Sequence, residues 1–172
     1  MRYIKQQEKT TCGPIVILNA LKWAGCKVTL KKDKPRIKKL TRWTPKRYYD
    51  GFRGCTPYGI SCALRKIKEL EIAHIVHGYK NDILRKLDSH LKRGEIAIIR
   101  YYWKEENKVC GHYVLCIVGT SKTYKLVNYS VKDSVSRVHR KTLRDLLKNI
   151  DFGLGEIHLP VIWFIKKRAP VV

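Results

Sequence analysis

Cys12 closes a polar lead-in, Gln6-Gln7-Glu8-Lys9-Thr10-Thr11, and opens onto Gly13-Pro14 and the apolar segment Ile15 to Ala24. This pattern places a thiol at the start of a helix. Unpaired backbone N–H groups and the positive end of the helix dipole favour the thiolate there, and the thiolate is the nucleophilic form. Such a nucleophile needs a base within reach, and histidine suits neutral pH. Of the six histidines, His112 is the best placed, because Gly111 opens the strand His112-Tyr113-Val114-Leu115-Cys116-Ile117-Val118. A ring at that strand's mouth is held by a sheet and exposed at one edge, and the glycine removes a side chain that would block a substrate. A third polar group must fix the imidazole's tautomer and orientation. Asn128, sixteen residues after His112 on the next predicted strand, returns toward it, with Asp133 as the less well-placed substitute. Charge developing on a substrate oxygen needs hydrogen-bond donors. The backbone N–H of Cys12 is one, and the side-chain amide of Gln6 is the other, with Gln7 competing for that part.

These residues require elements to hold them. Pro14 to Gly25 reads as a first helix that Thr10 or Thr11 caps and Gly25 ends. Ile15, Val16, Leu18, Ala20, Leu21 and Trp23 leave it little polar face apart from Asn19, so it should be buried. Residues from about 27 to 50 form a basic surface excursion. Nine Lys or Arg stand against Asp33 alone between Lys31 and Arg47, Pro35 and Pro45 interrupt the run, and a short helix fits around Arg36 to Thr41. This stretch reads either as a solvated loop or as an electrostatic footprint with Trp43, Tyr48 and Tyr49 available for stacking.

Thr56 caps a second helix from Pro57 to Leu70, Ile72 to His77 alternates as a strand, and Asn81 to Lys92 is a third helix that Gly94 stops. The second half is strand-rich, with strands at Glu95–Trp103, His112–Gly119, Tyr124–Tyr129 and Val161–Ile165 and a short helix at Thr142–Ile150. Short connections between consecutive strands indicate antiparallel pairing, and helices concentrated before them indicate an α+β fold in one domain spanning residues 1–172.

Composition bounds the function. The 172 residues are enough for one core, and 44% apolar content excludes a disordered chain. A formal charge of +23, from 37 Lys and Arg against 14 Asp and Glu, implies an anionic neighbour such as nucleic acid, an acidic protein or a membrane surface, or else simply a strongly basic proteome. The N-terminus lacks an apolar signal segment and no apolar run approaches a membrane span. A cytoplasmic, reducing location with free cysteines is therefore expected. Six Cys and six His raise the question of zinc, but no Cys-x-x-Cys occurs and Cys110 with His112 lacks a second ligand pair. No cofactor or metal is called for. Cys116 lies on the same strand face as His112 and Val114 and reads as a core thiol, while Cys26, Cys55 and Cys62 read as small fillers or loop residues.

Gln6-x5-Cys12-Gly13-Pro14, followed by Gly111-His112-Tyr113-Val114-Leu115 and Leu126-Val127-Asn128, resembles a papain-like cysteine peptidase. More narrowly it is similar to the bacteriocin-processing, double-glycine leader peptidases. The likeness extends through Gly54 to Leu70 and through Thr142 to Ile165. It implies a papain-like fold, with N-terminal helices packed on a C-terminal antiparallel sheet, and a protein or peptide substrate. It also implies acyl transfer: Cys12 attacks a peptide or isopeptide carbonyl, His112 shuttles the proton, Asn128 orients His112, and Gln6 with the Cys12 N–H holds the oxyanion. Cleavage after paired glycines is implied as well. Two features depart from the family, which usually carries Asp-Pro where this chain has Asn128-Tyr129, and which is not usually so basic. The contrasting expectation is a peptidase-like basic protein without activity that binds nucleic acid or serves as a structural part of a nucleoprotein particle.

Overall fold

The structure is a computed structural model and describes residues 2–6, 8, 10–44, 46, 54–105, 108–130, 133–151 and 157–169. Helix α1 (Cys12–Trp23) is followed by α2 (Leu30–Leu40), α3 (Pro57–Lys66), strand β1 (Leu70–His77) and α4 (Ile83–Lys92). Then come β2 (Ile96–Glu105), β3 (Lys108–Gly119), β4 (Thr123–Val127), β5 (Val135–His139) and α5 (Arg140–Leu146). The short strands β6 (Ile150–Asp151) and β7 (Ile157–His158) pair with each other, and β8 (Val161–Lys167) follows. One six-stranded sheet runs in the order β1-β8-β2-β3-β4-β5, and every neighbouring pair is antiparallel. This is the expected α+β architecture.

Side chains alternate across a strand, so β2 serves two cores. Ile96 and Ile98 join Tyr113, Leu115, Trp163 and Ile165 on the face that α1 covers. Ala97, Ile99 and Tyr101 join Val114, Cys116, Leu126 and Phe164 on the other, where α4 and α5 pack. The helices therefore clothe both faces rather than one. Residues Cys12 to Leu21 are all buried, because α1 is enclosed by the sheet and by α2 and α3. Its buried amide side chain is matched: Asn19 donates to Ile4 O (2.9 Å) and accepts from Ile4 N–H (2.7 Å). That pair fixes the lead-in against the helix.

Several expectations are corrected. α1 starts at Cys12 rather than Pro14, and Thr11 does not cap it with its side chain, since its hydroxyl donates to Glu8 O at 2.9 Å. The basic stretch holds an eleven-residue helix, not one turn or two near Arg36. Pro35 is tolerated within it because it lies on the exposed side, where the carbonyl it leaves without a donor meets water. α3 ends at Lys66, and Thr56 caps it as expected by accepting from Gly59 N–H at 3.1 Å. β2 and β3 run further into their shared hairpin, to Glu105 and from Lys108. Tyr48 and Tyr49 lie outside the described residues.

Candidate active site

The start of α1 meets β3 where the sheet narrows. β4 makes its last pairing with β3 at Val127 and Leu115, so His112, three residues nearer the start of β3, has β2 on one side and no β4 on the other. His112 is thus the fifth residue of β3, opposite Tyr101 of β2, and not its first. The mouth that exposes the ring is the end of β4. Gly111 serves the neighbouring strand: a Cβ there would come within 3.2 Å of the Tyr102 ring, which fills the space expected to be left for substrate.

Cys12 is buried, with 8% of the residue exposed. Burial by itself would push its thiol up, but a hydrogen bond and charge from His112, with N–H donors from Tyr113 and Gly13, outweigh this and hold it below the ordinary value. For His112, burial favours the neutral ring, yet the bond to Cys12, the charge on its sulfur and a backbone carbonyl from Asn128 raise it above the ordinary imidazole value. The two shifts agree in sense. Both favour a thiolate facing an imidazolium.

His112 Nε2 donates to the backbone carbonyl of Asn128 at 2.6 Å, which leaves Nδ1 to exchange a proton with Cys12. The expected partner residue is therefore present, but its main chain rather than its side chain meets the ring. Asn128 takes φ +66°, a left-handed conformation that asparagine tolerates better than most residues. Its side chain, 3% exposed, turns away from the imidazole. Nδ2 donates to Gln6 Oε1 at 3.0 Å and to Tyr113 O at 3.4 Å. Gln6 Nε2 in turn donates to Glu8 O at 2.6 Å. Cys12, His112, Asn128 and Gln6 are thereby brought into one linked group. Asp133 stands exposed ahead of β5, and Gln7 lies outside the described residues.

The peptidase domain of Streptococcus ComA, a bi-functional ABC transporter of a quorum-sensing pathway, shares this architecture with a TM-score of 0.57 at 16% identity, covering 94% of this chain and 95% of that one. A structure from Bacillus anthracis described as a C39-like peptidase does so with a TM-score of 0.57 at 15% identity, covering 97% and 96%. The fold is that of C39 peptidase domains. No family model and no curated protein matches the chain.

Within the C39 fold, sequence reasoning missed several residues that shape the group. Cys55 packs so tightly on α1 that a Cβ at position 13 would lie 2.8 Å from its sulfur, which is why glycine follows Cys12. Burial pushes the Cys55 thiol up to about 12, so it stays protonated beside the sulfur of Cys12. Tyr113 donates from its hydroxyl to Cys55 O at 3.1 Å, tying the α3 lead-in to β3. Arg100, 3% exposed, lies over the rings of Tyr102 (4.6 Å) and Tyr113 (5.4 Å). A lone arginine inside the apolar run of β2 was its signal. Trp43 Nε1 donates to Thr10 O at 2.8 Å, while Glu8 pairs with Lys34 and with Lys38 (3.3 Å). α2 therefore anchors the lead-in from outside. Cys116 is a core thiol as expected, raised by burial. All six cysteines are free, and among the described residues no three His, Cys, Asp or Glu side chains gather as metal ligands.

Proposed function

We propose that this chain is a cysteine peptidase that cleaves peptide or isopeptide bonds through Cys12 and His112. The observation that carries the reading is the hydrogen-bonded pair of a buried thiol at a helix start and a histidine on β3, the thiol lowered and the imidazole raised. Such a pair delivers a thiolate without waiting for a base to remove its proton. Cys12 Sγ attacks the substrate carbonyl carbon, and the C=O π electrons pass to the oxygen. The N–H of Cys12 and an amide hydrogen of Gln6 stabilise that oxyanion. As the tetrahedral adduct collapses, His112 gives its Nδ1 proton to the departing amine and a thioester remains. Water then attacks the thioester with His112 taking its proton, and the acid and the free thiolate are released. The Asn128 carbonyl holds Nε2–H throughout, keeping Nδ1 aimed at the sulfur. Asn128 Nδ2 and Glu8 O grip both ends of the Gln6 amide.

Iodoacetamide labelling across pH tests the pair. The expected result is one dominant reaction that disappears in Cys12→Ala and proceeds well below the free-thiol pKa of about 8.5. Uniform slow labelling of several cysteines would overturn the reading in favour of a basic binding protein without activity. For substrate class, the likeness to leader peptidases supports cleavage after Gly-Gly. A peptide series replacing either glycine with alanine should then lose most of its turnover, and unchanged rates would discard that preference.

A further inference from the structure

Nothing in the chemistry above uses the outward side of α2. Of the eleven residues of this helix, six are Lys or Arg, and they divide into two sets. Lys34 and Lys38 turn inward onto Glu8, and Lys38 Nζ also caps the Trp43 ring at 3.7 Å. Ile37 is buried and fixes the rotation of the helix. Lys31, Lys32, Arg36 and Lys39 are then left exposed, with Pro35 among them. At 100° per residue they share one side of the helix, spread over about 12 Å of its length. No described acid forms an ion pair with any of the four, and Asp33, the one acid of the helix, accepts from Thr29 N–H at 2.8 Å. Like charges four residues apart, as at Lys32 and Arg36, destabilise a helix. Folding requires no such concentration, and a polyanion lying across the face would relieve it. Beyond the C-terminus of α2, Arg42 lies 5.0 Å over the ring of Tyr58, which is 60% exposed.

We propose that the outer face of α2, with Tyr58 beside its C-terminus, binds nucleic acid through the phosphate backbone without reading base sequence. The chemistry favours nucleic acid over an acidic protein. Protein interfaces are built around buried aromatic or aliphatic anchors within a polar rim, whereas the stripe here is four cations and a proline. Cations in line on a rigid rod suit phosphates, and an exposed aromatic ring beside a guanidinium suits a base. This surface is independent of the peptidase reading.

The test uses the full chain carrying Cys12→Ala and fluorescence anisotropy with labelled random-sequence 20-mers, duplex and single-stranded. Four phosphate contacts on duplex DNA give a salt slope of about −3.6, so affinity should fall about 150-fold from 50 to 200 mM salt. Replacing Lys31, Lys32, Arg36 and Lys39 with Gln should remove about 3 to 4 from that slope while circular dichroism and Cys12 labelling in the otherwise wild-type chain stay unchanged. Replacing Lys125, Arg137, Lys141 and Arg144, exposed cations of β4, β5 and α5, serves as the equal-charge control and should leave most of the slope. Equal losses from both sets would overturn the assignment to α2. So would binding that ignores salt, or poly-glutamate competing as well as DNA, which would point to an acidic protein.

Discussion

A carbonyl and an amide belonging to one residue meet two different partners at the candidate active site. Asn128 O meets His112, while Asn128 Nδ2 meets Gln6, so substitutions can separate them. Asn128→Gly retains the carbonyl and readily adopts φ +66°. The pH profile of Cys12 labelling should then be unchanged, while turnover falls by about 10²-fold as Gln6 loses its grip, the scale of losing one oxyanion donor. Adding Gln6→Ala should cost little more. Asn128→Val, which resists a left-handed backbone, should shift the labelling profile as well. A shifted profile in Asn128→Gly would mean that the side chain, not the carbonyl, orients the ring.

The signs of the two shifts set the pH behaviour. Cys12 is lowered, so its thiolate persists as pH falls until the folded-state value is crossed. His112 is raised, so the imidazolium persists as pH rises until its own folded-state value. Activity should follow a bell bounded by these two limits, belonging to the pair as a whole. In His112→Ala the chief groups lowering the thiol are gone, and the labelling midpoint should climb toward or above about 8.5. An unmoved midpoint would show that the helix start alone lowers the thiol.

At the scale of elements, contact between α1 and the Cys55 loop explains why the cysteine is followed by glycine. Gly13→Ala would set a methyl 2.8 Å from Cys55 Sγ, overpacking that costs about 1–3 kcal/mol. Urea unfolding should show this loss, and Cys55→Gly, which removes the Cys55 Cβ at 2.9 Å as well as the sulfur, should recover part of it when combined with Gly13→Ala. Simple additivity would mean that the two sites do not touch. This contact was invisible in the sequence because Cys55 lies 42 positions further on, at the end of the basic stretch. Signals carried by local pattern were legible: the apolar α1, the Thr56 cap, the alternation of β3 and the residue types at Cys12 and His112. The full length of α2 was not, because Ile37 is its one buried residue and Pro35 interrupts the run. β5 and the β6–β7 pair were also missed, being five and two residues long with little alternation. The carbonyl of Asn128 could not be foreseen because residue type does not state a backbone angle.

At the scale of the whole molecule, the charge of +23 acts on stability as well as on partners. Among the described residues, acidic side chains are engaged with nearby cations: Glu8 with Lys34 and Lys38, Asp88 with Arg140, Glu71 with Lys166 and Asp145 with Lys148. The excess cations therefore face one another across the surface, and their repulsion opposes the compact state. Surface ion pairs of this kind contribute at most about 1 kcal/mol each, so screening them costs less than screening the repulsion gains. Raising salt from 10 to 150 mM shortens the Debye length from about 30 to about 8 Å. The melting temperature should rise, by about 2–4 °C for each kcal/mol of repulsion removed in a chain of this size. Non-coordinating NaCl at constant pH, followed by circular dichroism, is the measurement. The Lys31, Lys32, Arg36 and Lys39 variant should begin from a higher melting temperature at low salt and gain less on screening. A melting temperature that falls with salt in both proteins would mean that the ion pairs, not the surplus charge, dominate the electrostatics of the folded state.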